Sequence, residues 1–172
     1  LNDPYLAGTY LDSAMIMFES DRSYPRDQLA MKYFGVANFY NDGFDIYKAE
    51  KNYQVALQCV ENEKGFTELT FDILNALLTI KLNYHDYEGA KVVWKRAKEV
   101  YRKDPSAVDQ HALVHFYLNG GNAEWKLRHP DTALDHVDRA MTLIDREKDP
   151  YSYSIALEIR SMVLASQDRT RE

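Results

Sequence analysis

His111 and His115 stand four residues apart, a spacing that places two imidazoles on one face of a helix and suits a metal ion. No Glu follows His111, so the His-Glu pair of a helical zinc protease is missing. His85, His129 and His136 are scattered over turns and another helix, and no metal site is expected. Asp131, Asp135 and Asp138 form an acidic stripe at helical spacing. It lacks the oxygen-rich loop of a calcium site and reads as a solvated face near a helix N-terminus. Cys59 has no adjacent basic residue, so nothing marks it as a nucleophile. Gly120 and Gly121 lie within a helical pattern rather than after a strand, unlike a phosphate-binding loop. These constellations carry no catalysis, and the expected protein is not an enzyme and has no cofactor.

The elements that hold these residues repeat. Ala49-x3-Tyr53-x2-Ala56, Ala90-x3-Trp94-x2-Ala97 and Ala133-x3-Val137-x2-Ala140 share one pattern, and their first alanines recur at a nearly constant interval. Ala7-x3-Leu11-x2-Ala14 has the same internal spacing and stands one such interval before Ala49. Helical periodicity runs through the chain and strand signals are weak. Seven or eight helices are expected, at about Pro4–Glu19 (N-capped by Asp3), Arg26–Tyr40, Asp45–Asn62, Thr67–Asn83, Tyr87–Lys103, Ser106–Arg128 and Pro130–Arg146, with an eighth opening at Pro150. Asn41-Asp42-Gly43 is a strong turn signal, and Gly120-Gly121 is a pair that can kink or interrupt the sixth helix. The helices pair into hairpins over 26–62, 67–103 and 106–146, with half-hairpins at 4–19 and 150–168, in a single domain over 1–172.

The repeated residues resemble the tetratricopeptide repeat. That family places a small residue on the first helix of each hairpin, and an alanine, an aromatic and an alanine on the second. Gly121 takes the small position ahead of Ala133, with Trp125 and Leu127 following it. Leu78 stands at the same offset before Ala90. Gly35 is assigned the same role before Ala49, at an offset two positions longer, with the Asn41-Asp42-Gly43 turn absorbing the excess. The reason for small residues is packing, since two helices cross closely only where a side chain is small. The resemblance implies an all-α, right-handed superhelix of antiparallel hairpins that binds ligands along a concave face. The family's standard period is about 34 residues, and the interval from Ala49 to Ala90 to Ala133 is longer. The longer period resembles the peptide-sensing domains of Gram-positive quorum-sensing regulators, which follow a helix-turn-helix domain.

In that arrangement the first helix of each hairpin lines the inner face. The implied binding residues are Lys32, Tyr33 and Phe39 in the first unit, Asn75 and Thr79 in the second, and Asn119, Asn122, Trp125 and Lys126 in the third. The asparagines can hold an extended peptide backbone, the aromatics can seat side chains, and the lysines can meet a carboxylate. The contrary reading is that the asparagines bridge within the solenoid and the aromatics pack between repeats. The expected partner is a short peptide or a protein segment in the groove, and a homodimer would cover the open ends.

The bulk numbers agree with a binding domain. There are 21 basic and 27 acidic residues, for a net charge of −6. An acidic domain is a poor binder of nucleic acid. The basic residues cluster, with Lys91, Lys95, Arg96, Lys98, Arg102 and Lys103 against Glu99 alone between positions 91 and 103. A solvated outer face is the preferred reading, and a docking patch for an acidic partner is the other. No apolar run approaches the ~20 residues of a membrane span, and no secretory leader is evident. The chain begins at Leu1 rather than Met, which fits an excised domain or a processed product. A single thiol suits a reducing compartment, and the cytoplasm is the expected location.

Overall fold

The computed structural model describes residues 4–168 except 22, 44 and 62. Among these there are eight α-helices and no strand: α1 (Pro4–Ser20), α2 (Arg26–Asp42), α3 (Ile46–Val60), α4 (Thr67–Asn83), α5 (Tyr87–Lys103), α6 (Gln110–Lys126), α7 (Pro130–Leu143) and α8 (Pro150–Asp168). A turn of 3₁₀ helix at Pro105–Ala107 precedes α6. The fold is all-α, as expected from the periodicity. None of the described helices is long and apolar enough to cross a membrane. The expected cap Asp3 and the helix end at Asn62 lie outside the described residues.

Four helix starts follow a common chemistry. The Asp45 carboxylate accepts from the Lys48 amide at 3.2 Å, Asp86 from Gly89 at 2.9 Å, Asp109 from His111 at 2.6 Å and Asp149 from Ser152 at 3.0 Å. Each satisfies an amide that the first turn leaves without a partner. The bond from the Gly89 amide, with Lys81, favours the charged carboxylate and holds Asp86 below the ordinary range.

The backbone geometry of two helix ends carries no sign in the sequence. After α4, the Asp86 amide donates to the Lys81 carbonyl at 2.9 Å with His85 at φ 60°. After α6, the His129 amide donates to the Glu124 carbonyl at 2.9 Å with Arg128 at φ 66°. These are left-handed helix stops of the kind glycine usually makes, built here from bulkier residues. At Asn41-Asp42-Gly43 the helix instead continues to Asp42, and Gly43 has φ −81°. The 3₁₀ turn and the Asp109 cap delay α6 to Gln110, later than the expected Ser106.

Contacts divide the chain into two compact units, Leu1–Ile73 and Leu74–Glu172, with the division inside α4. In the first, α2 and α3 pack as a hairpin. Its core includes Ala30, Val36 and Ala37 of α2 and Ala49, Tyr53, Ala56 and Val60 of α3. α1 joins it less extensively, through buried Met15 and the close approach of Gly8 to the Tyr40 ring. In the second unit α6 and α7 form the main hairpin, and α5 and α8 also pack on α6. Val114 and Leu118 meet Ala133, Val137, Ala140, Ala156, Ile159 and Val163 in one apolar cluster.

The repeated alanines are core residues. Ala49, Ala56, Ala90, Ala97, Ala133 and Ala140 are fully buried, with Tyr53, Trp94 and Val137 buried beside them. Ala7, Leu11 and Ala14 of α1 are only half-buried, so the fourth copy of the pattern packs less completely. Gly121 does sit at a tight crossing. A Cβ there would lie 2.8 Å from a Val137 methyl and 3.2 Å from the Ala133 carbonyl. A Cβ on Gly120 would come closer still to the Trp94 indole. Both glycines are therefore packing positions, and α6 runs through the pair without interruption.

Gly35 is a correction. It is exposed, and nothing lies within 4 Å of where its Cβ would be. The small buried residue of α2 is Ala37, whose offset to Ala49 equals that of Leu78 to Ala90 and of Gly121 to Ala133. No insertion needs absorbing in the turn.

These two glycines predict opposite outcomes. Gly121→Ala should destabilise the chain by about 1–3 kcal/mol, because backbone on the far side cannot yield. Gly35→Ala should stabilise it by roughly 0.5–1 kcal/mol through helix propensity. Denaturant midpoints of both variants check the assignment, and a gain at Gly121 would refute the tight crossing.

Candidate functional site

Three of the expected binding residues meet in the second unit. The Asn119 side-chain amide donates to Thr79 Oγ1 at 3.0 Å and to Asn75 Oδ1 at 3.3 Å. Asn75 in turn donates to the Ala112 carbonyl at 3.2 Å, and the Thr79 hydroxyl donates to the Asn75 carbonyl at 3.1 Å. Residues 75 and 79 are one turn apart on α4 and face α6, so side-chain hydrogen bonds join the two helices here. The bridging reading thus holds for Asn75 and Asn119. Their network still leaves the Asn119 carbonyl for another donor.

Asn122 and Lys126 continue the same stripe of α6 at positions one and two turns beyond Asn119. Asn122 is half-exposed and Lys126 exposed. The Lys126 ammonium lies 4.1 Å from the Trp125 ring centroid, a cation–π contact. Trp125, Lys126 and Arg128 line a cleft of about 390 Å³ with Pro130, Ser166 and Gln167. Arg128 is brought there by its left-handed backbone, a position that sequence spacing did not flag.

His111 and His115 begin this stripe, with Nε2 atoms 3.3 Å apart. Burial and the neighbouring His111 hold His115 below the ordinary imidazole range. Among the described residues no three or more His, Cys, Asp or Glu gather as metal ligands. The acidic stripe of α7 is divided among partners. Asp131 accepts from Gln167 at 3.0 Å, Asp135 pairs with Arg139 at 3.0 Å and Asp138 with Arg160 at 3.2 Å. Cys59 is buried, and burial pushes its thiol up.

The three remaining residues belong to the first unit. Lys32 is exposed, 5.7 Å from the Phe18 ring. Phe39 is half-buried and edge-on to Tyr40 at 5.4 Å. Tyr33 is core, at 5% exposure. The reason is register. Counting from Ala37 rather than Gly35, the positions of α2 equivalent to His115, Asn119 and Asn122 are Met31, Gly35 and Asn38. Met31 is indeed 53% exposed, and sequence reasoning missed it.

The first unit holds a polar cluster of its own that spacing could not reveal. The Tyr40 hydroxyl donates to Asp12 at 2.7 Å, and the Lys48 ammonium lies 3.2 Å from the same carboxylate and 4.6 Å from the Tyr40 ring centroid. Burial, then Asp12, raises the Tyr40 pKa, and the bonds to Tyr40 and Asp12 raise that of Lys48. The cluster ties α1 to the α2–α3 hairpin. Nearby, the Tyr53 hydroxyl donates to Asn38 at 2.5 Å, and burial with the Asp42 charge pushes its pKa up to about 12.

No model of a known protein family matches the chain, and no curated protein matches it.

Two outcomes are expected. Asn119→Ala removes both bonds to α4 and should cost about 1 kcal/mol in denaturant unfolding. A change within error would mean that the amide bridge does not hold the helices. Tyr53 stabilises the fold only while its phenol keeps its proton. That contribution is complete below the unfolded-state pKa near 10 and declines as pH rises from there through about 12. Tyr53→Phe should flatten stability over that alkaline window, measured by denaturant midpoints at stepped pH.

Proposed function

We propose that this chain is a non-enzymatic binding module of tetratricopeptide-like hairpins that takes a short extended peptide. The observation that carries this reading is the stripe of α6 on which Asn119, Asn122 and Lys126 recur at one-turn intervals, with Asn119 fixed in place by Asn75 and Thr79. Carboxamides held in this way offer donors and acceptors matched to a peptide backbone. Trp125 with the cations Lys126 and Arg128 supplies an apolar surface and an anion site, suited to a terminal side chain and its carboxylate. Pre-ordering of the amides lowers the entropic cost of binding.

The regulatory version of this reading is a peptide-sensing domain of a cytoplasmic bacterial transcription regulator. Its support is the interval between Ala49, Ala90 and Ala133, longer than the usual repeat. A peptide would then act by favouring one arrangement of the helices over another. The acidic net charge leaves DNA contact to another domain.

The second reading is a protein–protein scaffold, with a homodimer as one form. It is favoured by α1, where Leu6, Tyr10, Ile16 and Met17 are 49–73% exposed. Apolar side chains on this scale mark contact surfaces.

Isothermal titration of the chain with a library of short extended peptides decides between them. A binding peptide should lose about tenfold in affinity with Asn122→Ala and again with Trp125→Ala, each about 1.4 kcal/mol. Absence of binding across the library, together with concentration-dependent association that Tyr10→Ser and Met17→Ser abolish, would replace the peptide reading with the scaffold.

A further inference from the structure

The basic run of α5 faces a second cleft that the peptide reading does not use. It opens between α5, α6 and α7 within the second unit and measures about 270 Å³. Tyr117, in its wall, is two residues before Asn119, which at ~100° per residue puts it on the opposite side of α6 from the amide stripe. Three cations line the cleft: Lys98, Arg102 and Arg139. The one carboxylate among its lining residues is Asp135, already paired with Arg139 at 3.0 Å. Tyr117 and Asp135 both face Arg139 and raise its pKa. Lys98 and Arg102 have no carboxylate partner among the described residues, and Lys98 rests 4.7 Å from the Trp94 ring centroid. In a chain of net charge −6 this is a concentrated positive site.

The floor is aromatic. Trp94 stacks on Phe116 with centroids 5.1 Å apart and planes within 2°, and the His136 ring lies 4.7 Å from Trp94. His136 is 5% exposed, and its Nδ1 has no hydrogen-bond partner. A buried polar atom left without a partner is uncommon and calls for a missing one. Trp94 Nε1, turned toward Gly120, is likewise without a partner.

We infer that this cleft binds a small aromatic anion, an aryl phosphate or aryl carboxylate. The oxyanion meets Lys98 and Arg102, and the ring lies against the wall of Tyr117 and His136. The space admits on the order of ten non-hydrogen atoms, at ~30 Å³ for a water-sized group. A bare inorganic anion would leave the aromatic wall unused, and a neutral arene would leave two cations unpaired.

The test is calorimetric titration of the whole chain with phenyl phosphate, alongside inorganic phosphate and phenol. Phenyl phosphate should bind with one site per chain and at least tenfold more tightly than either fragment. The double variant Lys98→Gln, Arg102→Gln should lose at least tenfold. Lys95→Gln, Lys103→Gln, which removes the same charge from α5 outside the cleft, should lose less than twofold. Equal losses in the two double variants would reduce the effect to general charge and overturn the site. So would equal affinity for inorganic phosphate, or no binding of phenyl phosphate at millimolar concentration.

Discussion

The structure depends on close approach of helices at small residues. Where α6 crosses α7 there is no room for a methyl group on Gly121, and where it meets α5 there is none on Gly120. The bulky residue across each crossing, Val137 or Trp94, fills the space that the missing side chain leaves. Ala37 and Ala49 are fully buried within the α2–α3 hairpin, which the same rule of small side chains explains. Because such crossings bring backbones close together, side chains on the flanks of the helices also meet, as in the stacking of Trp94 on Phe116 between α5 and α6. Between α4 and α6 the amide bridge of Asn75, Thr79 and Asn119 makes the join.

The polar groups of this protein divide by how much of their bonding capacity the fold consumes. Asp12, Tyr40 and Lys48 satisfy one another and fasten α1. Glu124, 8% exposed, is held by His129 at 2.6 Å and lies 3.7 Å from Lys91. A buried carboxylate without such partners would be costly. Asn122, Lys126, Lys98 and Arg102 are different, for their heads remain toward open space and keep capacity for a ligand. The two proposed sites rest on these residues, one on each side of α6.

Much of the helical architecture was legible from spacing alone. The ranges of α4 and α5 coincide with those expected from Thr67, Asn83, Tyr87 and Lys103, because an aspartate cap or a basic last turn marks a boundary chemically. The backbone form of a boundary was not legible, even where its position was. His85 and Arg128 end helices in a left-handed geometry that carries no sign in their side chains. Gly35 and Ala37 show the limit for packing positions. Both are small and lie two residues apart on α2, and only Ala37 is buried.

The sequence by itself determined that the chain is helical and that the alanines of three triplets, from Ala49 to Ala140, are packing positions, since periodicity and the triplets are local properties of the polypeptide. It also placed Asn75, Thr79, Asn119, Asn122, Trp125 and Lys126 on candidate faces. The tertiary structure decided which of these meet. Asn119 and Thr79 are 40 residues apart and touch only because α6 packs back on α4. Tyr33 was removed from the candidate face because the register of α2 turns it inward. The basic run of α5 became one wall of a cleft because α6 and α7 supply Tyr117, His136 and Arg139 from further along the chain. Contacts of this kind depend on helix rotation and crossing, which are settled by packing across the whole unit and not by any one segment.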